Sequence, residues 1–359
     1  MSRRICTLCW EDYRALPLSE KITYLMQPDG SPYHTLFAQQ FGLDSLTRLA
    51  TLANEIRTIA KSRNGTEFLR SLLAHKRAML YFSQPSSRTF LSFLSACQIL
   101  GMPTGEVRDM VTSSEFKGES REDSVRTFSS YFDLIIMRTT EKGLAEEMAW
   151  VLSHSDRPVP IINAGSGQDQ HPTQALLDIY TLLRSFEKTG GLRDKTVVFC
   201  GDLLRGRTVR SLSNLLLNYP NIRQVFVAPE PLQVGEDVRA MLTARNVSFE
   251  LTDNFQEAIP QADAVYMTRL QDEWDKTKGD SLRIDTSRFK FGANELALLP
   301  KEAVILHPLP RRDEIALVVD DDPRAMYWRQ MRNGMWIRTA LIAATFRCEH
   351  QVHAYFRNE

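Results

Sequence analysis

No stretch of this 359-residue chain approaches the roughly 20 consecutive apolar residues that a bilayer span needs. The opening MSRRICTLCWEDYR likewise lacks the apolar core of a secretory signal, so the expected location is the cytoplasm and no membrane contact is expected. An excess of charge of either sign is also missing: 44 Lys and Arg stand against 44 Asp and Glu. A nucleic-acid binder neutralises phosphates and usually carries a basic surplus, so this balance argues against that class while leaving room for a local basic pocket. Cysteine is scarce. The five residues Cys6, Cys9, Cys97, Cys200 and Cys348 are odd in number and scattered, which reads as reduced thiols rather than a disulfide framework. Cys6 and Cys9 make half of a zinc knuckle, and Cys348, His350 and His353 form a loose group near the end. Neither supplies two complete ligand pairs, and no metal is expected. Internal repeats and low-complexity tracts are absent.

What the chain does have is an alternation of short apolar runs with amphipathic stretches. Continuously apolar runs at 78–82, 134–137, 159–162, 196–200, 225–228, 264–267 and 303–306 have the character of strands buried on both faces. Helical patterns at 46–61, 89–100, 122–132, 173–183, 208–218 and 236–245 surround or separate them. Alternation of this kind predicts an α/β chain of parallel sheets flanked by helices, and the length predicts two domains. The polar, glycine-containing Asn163-Ala-Gly-Ser-Gly-Gln-Asp-Gln170 suggests the hinge, with domains at 1–170 and 171–329. A last helical pattern at 335–355 has no strand after it, so 330–359 is expected to return to the first domain. Residues 1–32 form an N-terminal extension with an apolar helix-like portion at 18–26 and a turn at Asp29-Gly-Ser-Pro32.

Ligands of such sheets bind at the carboxyl ends of the strands. The run at 78–82 is followed by Ser83-Gln-Pro-Ser-Ser-Arg-Thr-Phe90, where hydroxyls and a guanidinium sit beside the free N–H groups of a helix start. That is a ready phosphate cradle, although a serine cap with a surface arginine would read the same way. Five further motifs occupy the ends of later strands. They are Arg138, His171-Pro-Thr-Gln174, Gly201-Asp-Leu-Leu-Arg-Gly-Arg-Thr208, Met267-Thr-Arg-Leu-Gln271 and, after the last run, His307-Pro-Leu-Pro-Arg-Arg-Asp-Glu-Ile315.

In this order and at these spacings the motifs resemble the aspartate/ornithine carbamoyltransferase family, and within it the branch that acts on aspartate. The resemblance runs from about residue 46 to about 344. It implies transfer of a carbamoyl group from carbamoyl phosphate to the amine of L-aspartate, a step of pyrimidine biosynthesis, with no metal or organic cofactor. By that resemblance Ser86, Ser87, Arg88 and Thr89 would hold the phosphate and Arg138 would reach phosphate and carbonyl. His171 would donate to the carbonyl oxygen, while Gln174 and the backbone of Leu309 would bind the carbamoyl amino group. The first domain would then bind carbamoyl phosphate and the second aspartate, whose carboxylates Arg207 and Arg269 would clamp near Gln271. Ser113 and Lys117, in Ser113-Ser-Glu-Phe-Lys-Gly-Glu119, match a loop that the family extends into a neighbouring subunit, which implies a homotrimer with shared sites and leaves room for a regulatory or other enzyme subunit.

Three positions depart from the family pattern. Phe90 replaces an arginine of the phosphate motif, Gln84 replaces a glutamate, and Trp274 replaces a second arginine beyond Gln271. The last two changes remove both ends of an interdomain ion-pair link. They keep open substrate choice and cooperativity. Ornithine or another amine is the alternative second substrate, but Arg269 and Lys117 suit a cationic side chain poorly, and Pro308-Leu-Pro310 lacks the cysteine usual there in ornithine enzymes. A catalytically silent scaffold of this fold is a further alternative, against which stands the retention of Arg88, Lys117, Arg138, His171, Arg207 and Arg269.

Overall fold

The computed structural model describes residues 7–108, 118–167, 170–275, 277 and 279–358. The chain divides into two compact units, Met1–Leu176 with Gly334–Glu359 and Leu177–Asn333. The expected hinge lay some residues earlier, at 163–170. Within that stretch residues 163–166 are strand and are buried, because the short polar side chains are bonded internally: Asn163 Nδ2 donates to Ser166 Oγ at 3.1 Å and Oδ1 accepts from Gly165 N–H at 2.8 Å.

The first unit opens with α1 (Trp10–Ala15) and α2 (Leu18–Leu25), then α3 (Leu43–Ile59) and α4 (Arg63–Leu72). There follow β1 (Ala78–Phe82), α5 (Ser87–Ile99), β2 (Thr104–Val107), α6 (Arg121–Tyr131), β3 (Leu134–Thr139), α7 (Leu144–Ser153), β4 (Ile161–Ser166) and the start of α8 (Pro172–Ser185), whose later part belongs to the second unit. The sheet order is β2-β1-β3-β4, all parallel. The N-terminal extension belongs to this unit's core. Tyr13, Leu25 and Leu36 join Met79, Ile135, Ala149 and Ile161 in one buried cluster, and Lys21 pairs with Glu146 on α7 at 2.8 Å. Just beyond the extension Thr35 pairs in parallel with the free edge of β4, its N–H donating to the Ile161 carbonyl and its carbonyl accepting from Asn163, so the edge is covered.

The second unit carries β5 (Thr196–Cys200), α9 (Arg207–Leu216), β6 (Arg223–Val227), α10 (Glu236–Ala244), β7 (Phe249–Thr252), α11 (Phe255–Ala258), β8 (Ala264–Met267), α12 (Ala293–Leu298) and β9 (Val304–Leu306). Its parallel sheet has the order β7-β6-β5-β8-β9, and Ala325 pairs along the outer edge of β9. Both sheets follow the pattern in which connections lead chemistry to the carboxyl ends of the strands.

The C-terminal helical pattern is two helices rather than one, α13 (Tyr327–Thr345) and α14 (Glu349–Asn358), separated at Arg347 in the left-handed region with φ of 59°. The division between units runs through α13. Its later part and α14 pack in the first unit: Arg338 donates to Ser92 at 2.7 Å and Tyr355 stacks on Phe68 at 4.0 Å. The strands at 104–107 and 249–252 were not evident in the sequence. Both lie at sheet edges with alternating or partial exposure, so neither carries a continuous apolar run. Among the described residues no helix is long and apolar enough to cross a membrane, and no group of His, Cys, Asp and Glu is arranged to hold a metal. Cys9, Cys97, Cys200 and Cys348 are free thiols.

Candidate active site

In the first unit the candidates converge on the carboxyl ends of β1 and β3. Parallel register sets Phe82 beside Arg138, and the Arg138 carbonyl accepts from Ser83 Oγ at 3.2 Å and from Gln84 N–H at 3.3 Å. The strand that carries Arg138 therefore pins the start of the loop that carries Ser86. The loop enters α5 with Ser86 at the N-cap position, yet no capping bond from the Ser86 side chain is present. That disfavours the simple cap reading of the serine. Ser87 and Arg88 are exposed on the first turn and Thr89 is buried. A helix of 13 residues directs its first N–H groups and the positive end of its dipole toward this loop.

Arg138 is 8% exposed; its Nη1 donates to the Ala164 carbonyl at 3.0 Å and approaches His171 Nε2 at 3.4 Å. Since a guanidinium only donates, Nε2 accepts, which leaves Nδ1 to carry the ring proton. His171 is buried immediately ahead of α8, and its carbonyl accepts from the N–H of the buried Gln174. Arg138 and His171 thus come together, with Gln174 following in the first turn of α8. Phe90 is buried, packed edge-on against Phe82 with ring centroids 5.4 Å apart. The Arg108 guanidinium lies over the Phe90 ring at 4.2 Å. A cation therefore stands at the position where the sequence suggested one had been lost, brought there by the end of β2 rather than by α5.

In the second unit the candidates follow β5 and β8. Gly201, with φ of 118°, closes the end of β5; a Cβ there would lie 2.1 Å from the Thr268 carbonyl oxygen, so only glycine lets the two loops approach. Arg207 begins α9, and Arg269 and Gln271 sit on the loop after β8. Both Arg269 guanidinium nitrogens bond Glu273, Nη1 to Oε2 at 2.8 Å and Nη2 to Oε1. Burial draws Arg207 down to about 10, and the Glu273 carboxylate opposes that shift. Burial likewise opposes ionisation of Glu273, but its bonds to Arg269 hold it below the usual carboxylate range. Arg269 thus holds an internal carboxylate whose charge also acts on Arg207.

Several residues of this site were not singled out from the sequence. Asp202, buried after β5, accepts from Gln271 N–H at 3.0 Å and from Arg205 N–H at 3.2 Å, and burial pushes its carboxyl upward. His307 is fully buried and bonds Glu314 through Nε2 at 2.7 Å, while its Nδ1 accepts from Leu309 N–H at 2.7 Å. Those bonds orient the backbone of Leu309, which adopts a left-handed φ of 54° that costs a branched residue roughly 1–3 kcal/mol and is held by its surroundings. Burial would raise Glu314, but His307 holds it below the ordinary range. Ser113 and Lys117 lie outside the described residues.

The family profile described as the aspartate/ornithine carbamoyltransferase carbamoyl-P binding domain matches residues 33–184, and that of the aspartate/ornithine binding domain matches 193–345. The chain belongs to the aspartate/ornithine carbamoyltransferase family. Among similar proteins, the chloroplastic aspartate carbamoyltransferase of Oryza sativa is 40% identical over 311 residues, 85% of this chain and 82% of that one. The aspartate carbamoyltransferase catalytic subunit of Finegoldia magna is 37% identical over 85% of this chain and 95% of its own length. The multifunctional protein CAD of Squalus acanthias is 38% identical over 86% of this chain, which covers 13% of that protein. Among solved structures, aspartate transcarbamoylase of Trypanosoma cruzi in complex with carbamoyl aspartate and phosphate aligns with a TM-score of 0.79, at 33% identity, over 89% of this chain and 98% of that one. This carbamoyltransferase is an α/β protein of two parallel-sheet units, as the motif order implied.

Proposed function

We propose that this carbamoyltransferase moves the carbamoyl group of carbamoyl phosphate to the amine of L-aspartate, giving N-carbamoyl-L-aspartate and phosphate for pyrimidine biosynthesis. The observation that carries the choice of acceptor is Glu273: Arg269 holds this internal carboxylate through both nitrogens, and its charge also acts on Arg207. A guanidinium that already holds a carboxylate by two bonds, with a second arginine within reach of the same charge, suits a dicarboxylic amino acid and would repel the ammonium of ornithine.

In this reading Ser86, Ser87, Arg88 and Thr89 hold the phosphate with the help of the start of α5. Arg138 and His171 donate to the carbonyl oxygen, and Gln174 accepts from the carbamoyl amino group. Attack of the neutral amine builds a tetrahedral oxyanion, which Thr89, Arg138 and His171 stabilise. Collapse breaks the bond to phosphate, and the departing phosphate takes the amine proton, so no dedicated side-chain base is required. Arg207 and Arg269 bind the two aspartate carboxylates and Gln271 lies beside the amine. Lys117 and Ser113 complete the site from a neighbouring subunit, which makes the active form a homotrimer, and the protein works in the cytoplasm. The substrates are small anions and no cofactor takes part.

The test is a steady-state assay of the purified chain with carbamoyl phosphate and a panel of amino acids, following phosphate and the carbamoylated product. Turnover with L-aspartate and none with ornithine is expected. Turnover with ornithine in preference to aspartate, or none from a correctly assembled protein, would overturn the proposal. Sedimentation at assay concentrations reads the trimer separately.

A further inference from the structure

The loop after β8 presents Arg269 and Gln271, and something must hold it in one shape. The backbone of one residue is gripped from both sides. The N–H of Gln271 donates to Asp202 Oδ2 at 3.0 Å, and its carbonyl accepts from Arg205 Nη1 at 3.0 Å. The same Arg205 nitrogen donates to Asp275 Oδ1 at 2.9 Å. Gln271 and Asp275 stand at the two ends of the single 3-10 turn Asp272–Trp274, so one guanidinium ties the turn's entry to its exit. Arg205 is anchored in turn, its own N–H donating to Asp202 at 3.2 Å. The pair is largely withdrawn from water, with side-chain exposures of 16% for Arg205 and 4% for Asp275.

Charge and geometry separate this arginine from the substrate cations. Its positive charge is matched by a buried carboxylate 2.9 Å away. A free amino acid gains little from a cation already compensated in this manner, whereas the loop gains a fixed backbone. The two hydrogens of one planar guanidinium nitrogen point in fixed directions to two acceptors, which a rotating lysine ammonium on a flexible stem offers with less definition. Asp272 adds an outer tie, bonded by both terminal nitrogens of Arg312 at 2.8 and 2.9 Å, but that pair is exposed and correspondingly weak.

We infer that Arg205, clasped by Asp275, is a positioning residue for the amino-acid substrate, acting through the backbone of Gln271 to aim Gln271 and Arg269. The inference rests on the reading of that loop as the aspartate clamp. It assigns Arg205 no contact with substrate.

The experiment measures KM for aspartate, KM for carbamoyl phosphate, kcat and Tm for the full-length Arg205→Lys, Asp275→Asn and Arg269→Ala variants beside the wild type. The conservative Arg205→Lys and Asp275→Asn changes are expected to raise KM for aspartate by about tenfold or more, because a small misplacement of binding groups is costly in this chemistry. KM for carbamoyl phosphate should stay within about twofold, since those residues belong to the other unit. A merely structural strut would lower Tm and leave both KM values alone, and that result overturns the inference while Arg269→Ala still raises KM for aspartate. If Arg269→Ala also leaves it unchanged, the reading of the loop falls and the inference falls with it. Should one of the two conservative variants fail to fold, the other decides by the same criterion.

Discussion

The arginines of the two half-sites meet different groups. In the first unit Arg138 bonds the Ala164 carbonyl and His171 Nε2, and Arg108 lies over the face of Phe90. In the second, Arg269, Arg312 and Arg205 are each held by a carboxylate, Glu273, Asp272 and Asp275. In the proposed reading the first arrangement serves a phosphate and the oxyanion that forms beside it. The second fixes the shape of the loop that would receive a carboxylate, which must take the place of an internal one at Arg269. An acyl phosphate carries more charge than one carboxylate, and a site that must stabilise developing negative charge benefits from preorganised cations and donors. A site that must discriminate among amino acids benefits from fixed geometry.

The comparison breaks most visibly at Arg88. Arg88→Ala should cut kcat/KM by about 10³-fold or more, since it removes a charged contact to the transferring group, and steady-state phosphate release reads it. His171→Ala should follow at about 10²–10³-fold, mostly in kcat, as expected for a donor that matters to the oxyanion more than to the ground state. Arg269→Lys keeps the charge but loses the fork; KM for aspartate should rise about tenfold with kcat less affected. Arg108→Gln should raise KM for carbamoyl phosphate only about two- to fivefold, the size of a cation on an exposed ring face, and Phe90→Arg in that background should recover most of it. Failure of that recovery would mean that packing, not charge, matters there.

Acid separates the units by a smaller effect. Among the described residues, carboxylates held below their ordinary range are concentrated in the second unit. There Arg312 lowers Asp272, Arg311 lowers Asp320 and Arg324 lowers Asp322, in each case against a smaller contribution from burial, while in Glu273 and Glu314 the bonds to Arg269 and His307 overcome burial. In the first unit Asp29 alone stands out, its bonds to Ser31 overcoming burial. A lowered carboxylate contributes stability above its unfolded value of about 4, and loses that contribution as pH falls through its folded value. Asp202, pushed upward chiefly by burial, works in the other direction and offsets a part. Between pH 7 and pH 3 to 4, amide protection factors, which divide out the intrinsic exchange rate, should therefore fall more in β5, β6, β8 and β9 than in β1, β3 and β4.

How far the sequence discloses this molecule follows from what each feature rests on. Central strands such as 78–82, 196–200 and 264–267 are buried on both faces and print themselves as unbroken apolar runs, and all three occur with those limits. Exposed edge strands do not, which is why β2 and β7 went unseen, whereas β4 and β9, whose outer edges are covered at Thr35 and Ala325, are fully buried and were legible. The helix α7 also went unread: seven of its ten residues are buried, and so thorough a burial blurs the polar stripe that marks an amphipathic helix. Motif residues such as Arg88, His171 and Arg269 were legible because their chemistry is carried by contiguous residues after a strand. Their supports were not. Arg205 and Asp275 are separated by 70 positions, and Arg108 meets Phe90 only because β2 lies beside β1. Such pairings come from register and loop approach, which one-dimensional spacing does not contain.

The most direct measurement of the account is calorimetric binding of a simple dicarboxylate, succinate in the presence of inorganic phosphate, to the wild type and to Arg269→Ala. The account predicts that Arg269→Ala loses the dicarboxylate while its affinity for phosphate stays within about twofold of the wild type, because the two anions are held by different units. Undiminished binding of the dicarboxylate, or loss of phosphate from Arg269→Ala, would contradict it.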